Sequence, residues 1–112
     1  MIIEKLYLNY LESVLEGIPV RMEEPEEPEA SYVVLQKTGS SRENQLRTAT
    51  FAVQSYGQTL YEAATLNDRV VEATLSMTTA DGVFAAELNS DYEYTDTETK
   101  QYRYQAVLVI YY

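Results

Sequence analysis

Residues 48–76 read TATFAVQSYGQTLYEAATLNDRVVEATLS, and the spacing of apolar side chains changes once within them. From Thr48 to Tyr56 the period is two. Ala49, Phe51 and Val53 fall on one side and Thr48, Thr50 and Gln54 on the other, which predicts a strand with one face in a core. From residue 57 to 76 the period lengthens to three and four. Leu60, Ala63, Ala64, Asn67, Val70, Val71 and Leu75 then form one stripe of a predicted helix. Ser55 with Gln58, or Thr59 with Glu62, offers a capping box at its start. At ~1.5 Å per residue that helix spans about 30 Å, the width of a small domain. Ala63, Ala64 and Ala73 allow close approach to a sheet.

Toward the C-terminus, Asp81-Gly82 marks a turn and Val83 to Tyr94 alternates again. Phe84, Ala86, Leu88, Tyr92 and Tyr94 share one predicted face, and Glu87, Asn89, Asp91 and Glu93 the other. TDTETK, residues 95–100, turns the chain. Gln101 to Tyr112 returns as a strand that is apolar on both faces from Ala106 onward, so it is expected to be central in the sheet or buried at an interface. Toward the N-terminus, Ile2 or Ile3, Leu6, Tyr7, Tyr10, Leu11, Val14 and Leu15 predict a helix over 2–16. Gly17 and Pro19 stop it. Ile18 to Met22 is a short extended piece, and Ser31 to Thr38 a strand. EEPEEPE, residues 23–29, is an extended, solvated connection, since proline withholds donors and like charges repel. GSSRENQLR, residues 39–47, reads as a polar loop, long for a hairpin; it either contacts something else or is mobile. The order α-β-β-β-α-β-β predicts a single α+β domain over 1–112, two helices packed on an antiparallel-rich mixed sheet.

The chain has 112 residues, 18 Asp+Glu against 8 Lys+Arg, a formal charge of −10, 11 Tyr, and no His, Cys or Trp. Absent Cys removes disulfides, thiolate nucleophiles and Fe–S ligation. Absent His removes the usual general base and the commonest transition-metal ligand. The acidic balance opposes nonspecific nucleic-acid binding and attraction to an anionic membrane. No leader and no run of ~20 apolar residues is visible, so a protein made and folded in a cytoplasm is expected.

Glycines stand alone at 17, 39, 57 and 82, so no phosphate-binding loop can be assembled. DYEYTDTETK lacks the central Gly and the Asp/Asn spacing of a calcium loop. A carboxylate pair for glycoside hydrolysis cannot be singled out. Tyr92, Tyr94, Tyr102 and Tyr104 could stack bases, but their spacing across a predicted hairpin favours cross-strand packing with hydroxyls at the rim. No catalytic residue, cofactor or metal is expected. The candidate site residues are instead contact residues. Arg21, Arg42 and Arg47 are among few cations, and Arg suits bidentate carboxylate contacts between subunits; Glu43 adjoins Arg42, the best single candidate. Glu23, Glu24, Glu26, Glu27 and Glu29 form an acidic block that is either a polar loop or a lip facing a partner or a channel.

Together, VLQKTGSSRENQL, FAVQSYGQTLYEAA and SDYEYTDTETKQYRYQA, within a layout covering almost the whole chain, resemble the tail-completion or tail-terminator proteins of long-tailed bacteriophages and prophages. The resemblance implies a non-enzymatic structural protein of the virion tail, assembled in the bacterial host cytoplasm. Its partners would be itself, as a ring that is usually a hexamer, the major tail tube protein, and a head connector or stopper. At the head-proximal end the ring would stop tube growth and offer the head a surface, with DNA passing through and not specifically bound. Two alternatives are an acidic DNA mimic that inhibits a host DNA-binding enzyme and a neighbouring connector of the stopper type. A carboxylate-based hydrolase is the weakest reading.

Overall fold

The computed structural model describes residues 2–27 and 30–112. Two helices, α1 (Ile3–Val14) and α2 (Leu60–Leu75), lie on one face of a five-stranded sheet. The strands are β1 (Val20–Arg21), β2 (Tyr32–Glu43), β3 (Leu46–Gly57), β4 (Ala85–Glu93) and β5 (Tyr102–Tyr111), in spatial order β1-β2-β3-β5-β4. The fold is α+β, in the chain order α-β-β-β-α-β-β. A short 3-10 turn at Thr79–Asp81 precedes β4, and Gly82 follows it at φ 86°, a left-handed conformation that glycine adopts without strain.

The core fills the space between the helices and the sheet. Ile3, Tyr7, Leu11 and Leu15 from the first helical segment meet Val33 and Leu35 of β2, Ala49, Phe51 and Val53 of β3, and Ala106, Leu108 and Ile110 of β5. Leu66, Val70 and Val71 of α2 complete it. Burying one such large side chain contributes about 1.5–3 kcal/mol. Tyr7 stands edge-on to Phe51, with ring centroids 4.9 Å apart. Its hydroxyl lies 2.6 Å from Thr74 Oγ1, while Tyr10 donates to the Ala73 carbonyl at 2.7 Å, so two tyrosines tie α1 to the end of α2. Thr59 caps α2 by accepting from Glu62 N–H, and the Glu62 carboxylate reaches back to Gln58 N–H. At Gly57 β3 comes so near the start of α2 that an added Cβ would stand 2.7 Å from Ala63 N.

The terminal strand is central, paired with β3 on one side and β4 on the other, which explains its apolar character on both faces. β1 runs parallel to β2, pairing Val20 with Val33 and Arg21 with Val34. Parallel neighbours need a connection that carries the chain back along the sheet. The Glu-Pro stretch lies in that connection, residues 22–31.

Two differences from the sequence reading alter the surface. Residues 39–47 are not a loop: β2 and β3 continue as a hairpin to a tight turn at Asn44-Gln45, with φ of 51° and 67°; Gly39–Ser41 still lie beside β5 across β3, and only Arg42–Arg47 project past it as a two-stranded arm. Positive φ at both turn residues suits the twist of a two-residue hairpin. The outer part of β2 is solvent-exposed along an open sheet edge, so polar side chains on both faces are compatible with a strand. The second difference is an irregularity in β4 between Leu88 and Ser90. The extra residue reverses the facing of everything after it. Asp91 and Glu93 therefore share the helix side with Ala86 and Leu88, whereas Tyr92 and Tyr94 share the opposite face with Glu87. Tyr92 and Tyr94 are thus on the other face from Tyr104, which pairs with Ser55 and Glu93.

Candidate functional site

The arm is the most distinctive surface. Hydroxyls knit the hairpin at its base, Ser41 Oγ to Thr48 Oγ1 at 2.5 Å and Thr38 Oγ1 donating to the Thr50 carbonyl at 3.3 Å. Ser40 through Arg47 are solvent-exposed. The longest dimension of the molecule, 44 Å against 24 Å for the others, matches so elongated a sheet.

Arg42 and Arg47 are directly opposed across the arm. Like charges in that position repel. Arg47 is held by the C-terminus: its guanidinium lies 4.4 Å from the Tyr112 ring centre, and its carbonyl accepts from Tyr112 N–H at 2.9 Å. Arg42 has no side-chain partner among the described residues, whereas Lys37, on the same strand, pairs with Glu4 at 3.3 Å. The structure brings Arg42, Glu43 and Arg47 together near the tip and places Arg21 apart from them, on β1 beside Val34.

Both flanks of the sheet are open. β1 covers β2 only at Val33 and Val34, so from Leu35 to Glu43 the outer edge of β2 has no neighbouring strand among the described residues. β4 is likewise unpaired on the side away from β5, and its side chains are exposed except at Ala86. Such edges leave backbone donors and acceptors available to another chain.

The face opposite the helices carries a polar and aromatic network. Tyr32 and Tyr56 stack at 4.3 Å with planes 9° apart. Tyr56 donates to Gln54, Gln54 to Gln105, and Gln105 to Tyr92, at 3.0, 2.9 and 2.5 Å. Arg103 donates to the Tyr94 carbonyl at 2.5 Å and to the Tyr56 hydroxyl at 3.3 Å, and its guanidinium lies 4.5 Å from the Tyr94 ring centre. Gln101 donates to Tyr32 at 3.0 Å. Burial first, then the neighbouring Tyr56 and Glu24, push the Tyr32 hydroxyl up to about 12. These tyrosines are protonated at neutral pH and serve as hydrogen-bond donors and acceptors that link neighbouring strands of the sheet. A cleft of about 460 Å³ beside the stack is lined by Tyr32, Tyr56, Gln58, Lys100 and Gln101.

Of the acidic block, Glu23, Glu24, Glu26 and Glu27 are exposed, and Glu24 comes close enough to Tyr32 and Tyr56 to disfavour their ionisation. Glu29 lies outside the described residues. The Asp96 carboxylate is engaged by the backbone N–H groups of Glu98 and Thr99, which hold it below the usual range. No group of three carboxylates among the described residues is placed to hold a metal ion, and no helix there is long and apolar enough to cross a membrane.

Sequence reasoning singled out Arg42 and Arg47 but missed that they face each other. It missed the Tyr32–Tyr56 stack altogether, although their alternation in strands 24 residues apart was a usable signal. The arrangement offers features suited to protein contacts: exposed strand edges, an arm, and an arginine with no carboxylate partner among the described residues. No protein-family model matches the chain, and comparison with curated proteins finds no match.

Proposed function

We propose that this chain is a non-enzymatic structural subunit of a phage or prophage tail. It assembles with copies of itself into a closed ring, in the family typically six-fold, at the head-proximal end of the tube. There it ends tube growth and presents a surface to a head connector. The observation that carries this reading is the pairing of two open strand edges on opposite flanks of one sheet with a projecting arm. Unlike edges at opposite flanks suit head-to-tail contacts, which form rings when the rotation closes. The resemblance of the chain to tail-terminator proteins supplies the tail. The acidic surface, at a formal −10, suits a protein that lets DNA pass without holding it.

The test is tube growth. Tubes assembled from the matching major tail tube protein should stop lengthening when the protein is added at far below one copy per tube subunit, as followed by light scattering. Unaltered growth, with the protein left monomeric in the supernatant, would sink the reading. A stopper-type connector would instead bind the head vertex and leave tube growth untouched. The DNA-mimic alternative predicts capture of a DNA-binding enzyme, displaced by duplex DNA.

A further inference from the structure

We propose that the arm of one copy docks along the open β4 edge of the next, with Arg42 seated against Asp91 and Glu93. The occupant of each edge is therefore a second copy of this chain, and the proposal rests on the self-assembling reading above.

Four observations converge. Arg42 is exposed and repelled by Arg47, and has no carboxylate of its own chain among the described residues. The β4 edge carries Asp91 and Glu93 on the helix side of the sheet, and Arg42, in register with Arg47, is on that same side as Ala49 and Phe51. Opposite charges thus meet on one face when the sheet continues from copy to copy. Strand direction also fits. β2 opposes β3, β3 opposes β5 and β5 opposes β4, so β2 and β4 run in opposite directions. A copy related by rotation about a ring axis places its β2 antiparallel to its neighbour's β4, the pairing that needs no change of direction.

The fourth observation is the offset. Ser41 is level with Tyr111 through Thr48, and Asp91 is level with Ala106. Arg42 lies one row past Ser41, so setting it opposite a neighbour's Asp91 shifts the copies by six rows, roughly 20 Å. The four strands from β2 to β4 are roughly 19 Å wide at ~4.8 Å each. The two lengths give a strand tilt of about 45°, at the upper end of the ~35–45° that closed sheets adopt. In that register Glu43 stands opposite Ser90 and Ser40 opposite Glu93.

The chain has no Cys, so a pair can be introduced without background. Three strand spacings separate β2 from β4 in one chain, about 14 Å, twice the ~7 Å Cα limit of a disulfide. A bond between Glu43→Cys and Ser90→Cys must therefore join two copies. In protein assembled on tail tubes, mild oxidation should give a ladder of multiples that ends at the closed ring. Arg42→Glu on that background should cut cross-linking at least about tenfold, and adding Glu93→Arg should restore it. A capped tube whose protein stays uncross-linked overturns the arm-to-edge contact and leaves the ring reading standing. Cross-linked rings that leave tube growth unchanged support the contact and overturn the tail reading.

Discussion

Arg42 and Arg47 face each other across the arm, and Tyr112 supports only one of them, with its ring centre 4.4 Å from the Arg47 guanidinium. Two cations held together at an exposed tip weaken the isolated subunit. Replacing Arg42 with Thr should stabilise the monomer by about 0.2–1 kcal/mol in urea unfolding. The same substitution should weaken self-assembly. A loss of both stability and assembly would mean that Arg42 holds up its own chain instead.

Tyr112 makes the reciprocal case. Tyr112→Ala removes the ring beneath Arg47, and should cost about 0.5–1 kcal/mol as an exposed cation–π contact. Amide exchange near Arg47 and Thr48 should rise with it. Unchanged exchange there would show that the terminal aromatic does not anchor the arm.

The Asn44-Gln45 turn asks a Gln to sit at φ 67°. Gln45→Gly relieves that conformation, worth ~1 kcal/mol for a left-handed residue, and supplies the Asn-Gly pair that favours such turns. Hydrogen-exchange protection between Glu43 and Leu46 should increase. If protection falls, the turn in solution is of another type.

Inside the molecule, the Tyr7–Thr74 contact at 2.6 Å joins the helices. Tyr7→Phe should cost about 1–2 kcal/mol by chemical denaturation, because Thr74 keeps its bond to the Val70 carbonyl at 2.8 Å while losing a buried partner. Thr74→Val added to Tyr7→Phe should cost less than the sum of the two. Strict additivity would show the hydroxyls uncoupled.

Alkaline pH should unfold the protein through its tyrosines. Burial raises Tyr32 to about 12 from an ordinary 10, and raises Tyr7 and Tyr56 as well. Between those values the unfolded chain has fewer bound protons than the folded one, so stability falls as pH rises. It should be intact below pH ~10 and decline toward pH ~12. Tyr32→Phe should make the decline shallower, as read from urea midpoints across that range. An unchanged slope would mean that Tyr32 titrates freely.

The elements with a core beneath them were legible. Ala49, Phe51 and Val53 announced their strand, and the two-faced apolar run after Ala106 announced a central one, because burial imposes a period on sequence. Where no core exists, no period is imposed. The outer half of β2 is an exposed sheet edge, so Ser40, Ser41 and Arg42 read as loop, and a turn without glycine gave no warning. The β4 irregularity was hidden for a different reason. One inserted residue leaves composition unchanged yet reverses the facing of Asp91 and Tyr92, moving two carboxylates to the helix side. Arg42 was identifiable from residue type alone. Its opposition to Arg47 depended on the register of the hairpin, which only the fold supplies.

The most direct measurement is electron microscopy of tail tubes incubated with the protein and viewed down the tube axis. The proposed role predicts one closed ring at a single end of each tube, with the tube's own symmetry and each arm reaching the adjacent copy. Bare ends on tubes that go on lengthening, in the presence of folded protein, would contradict it.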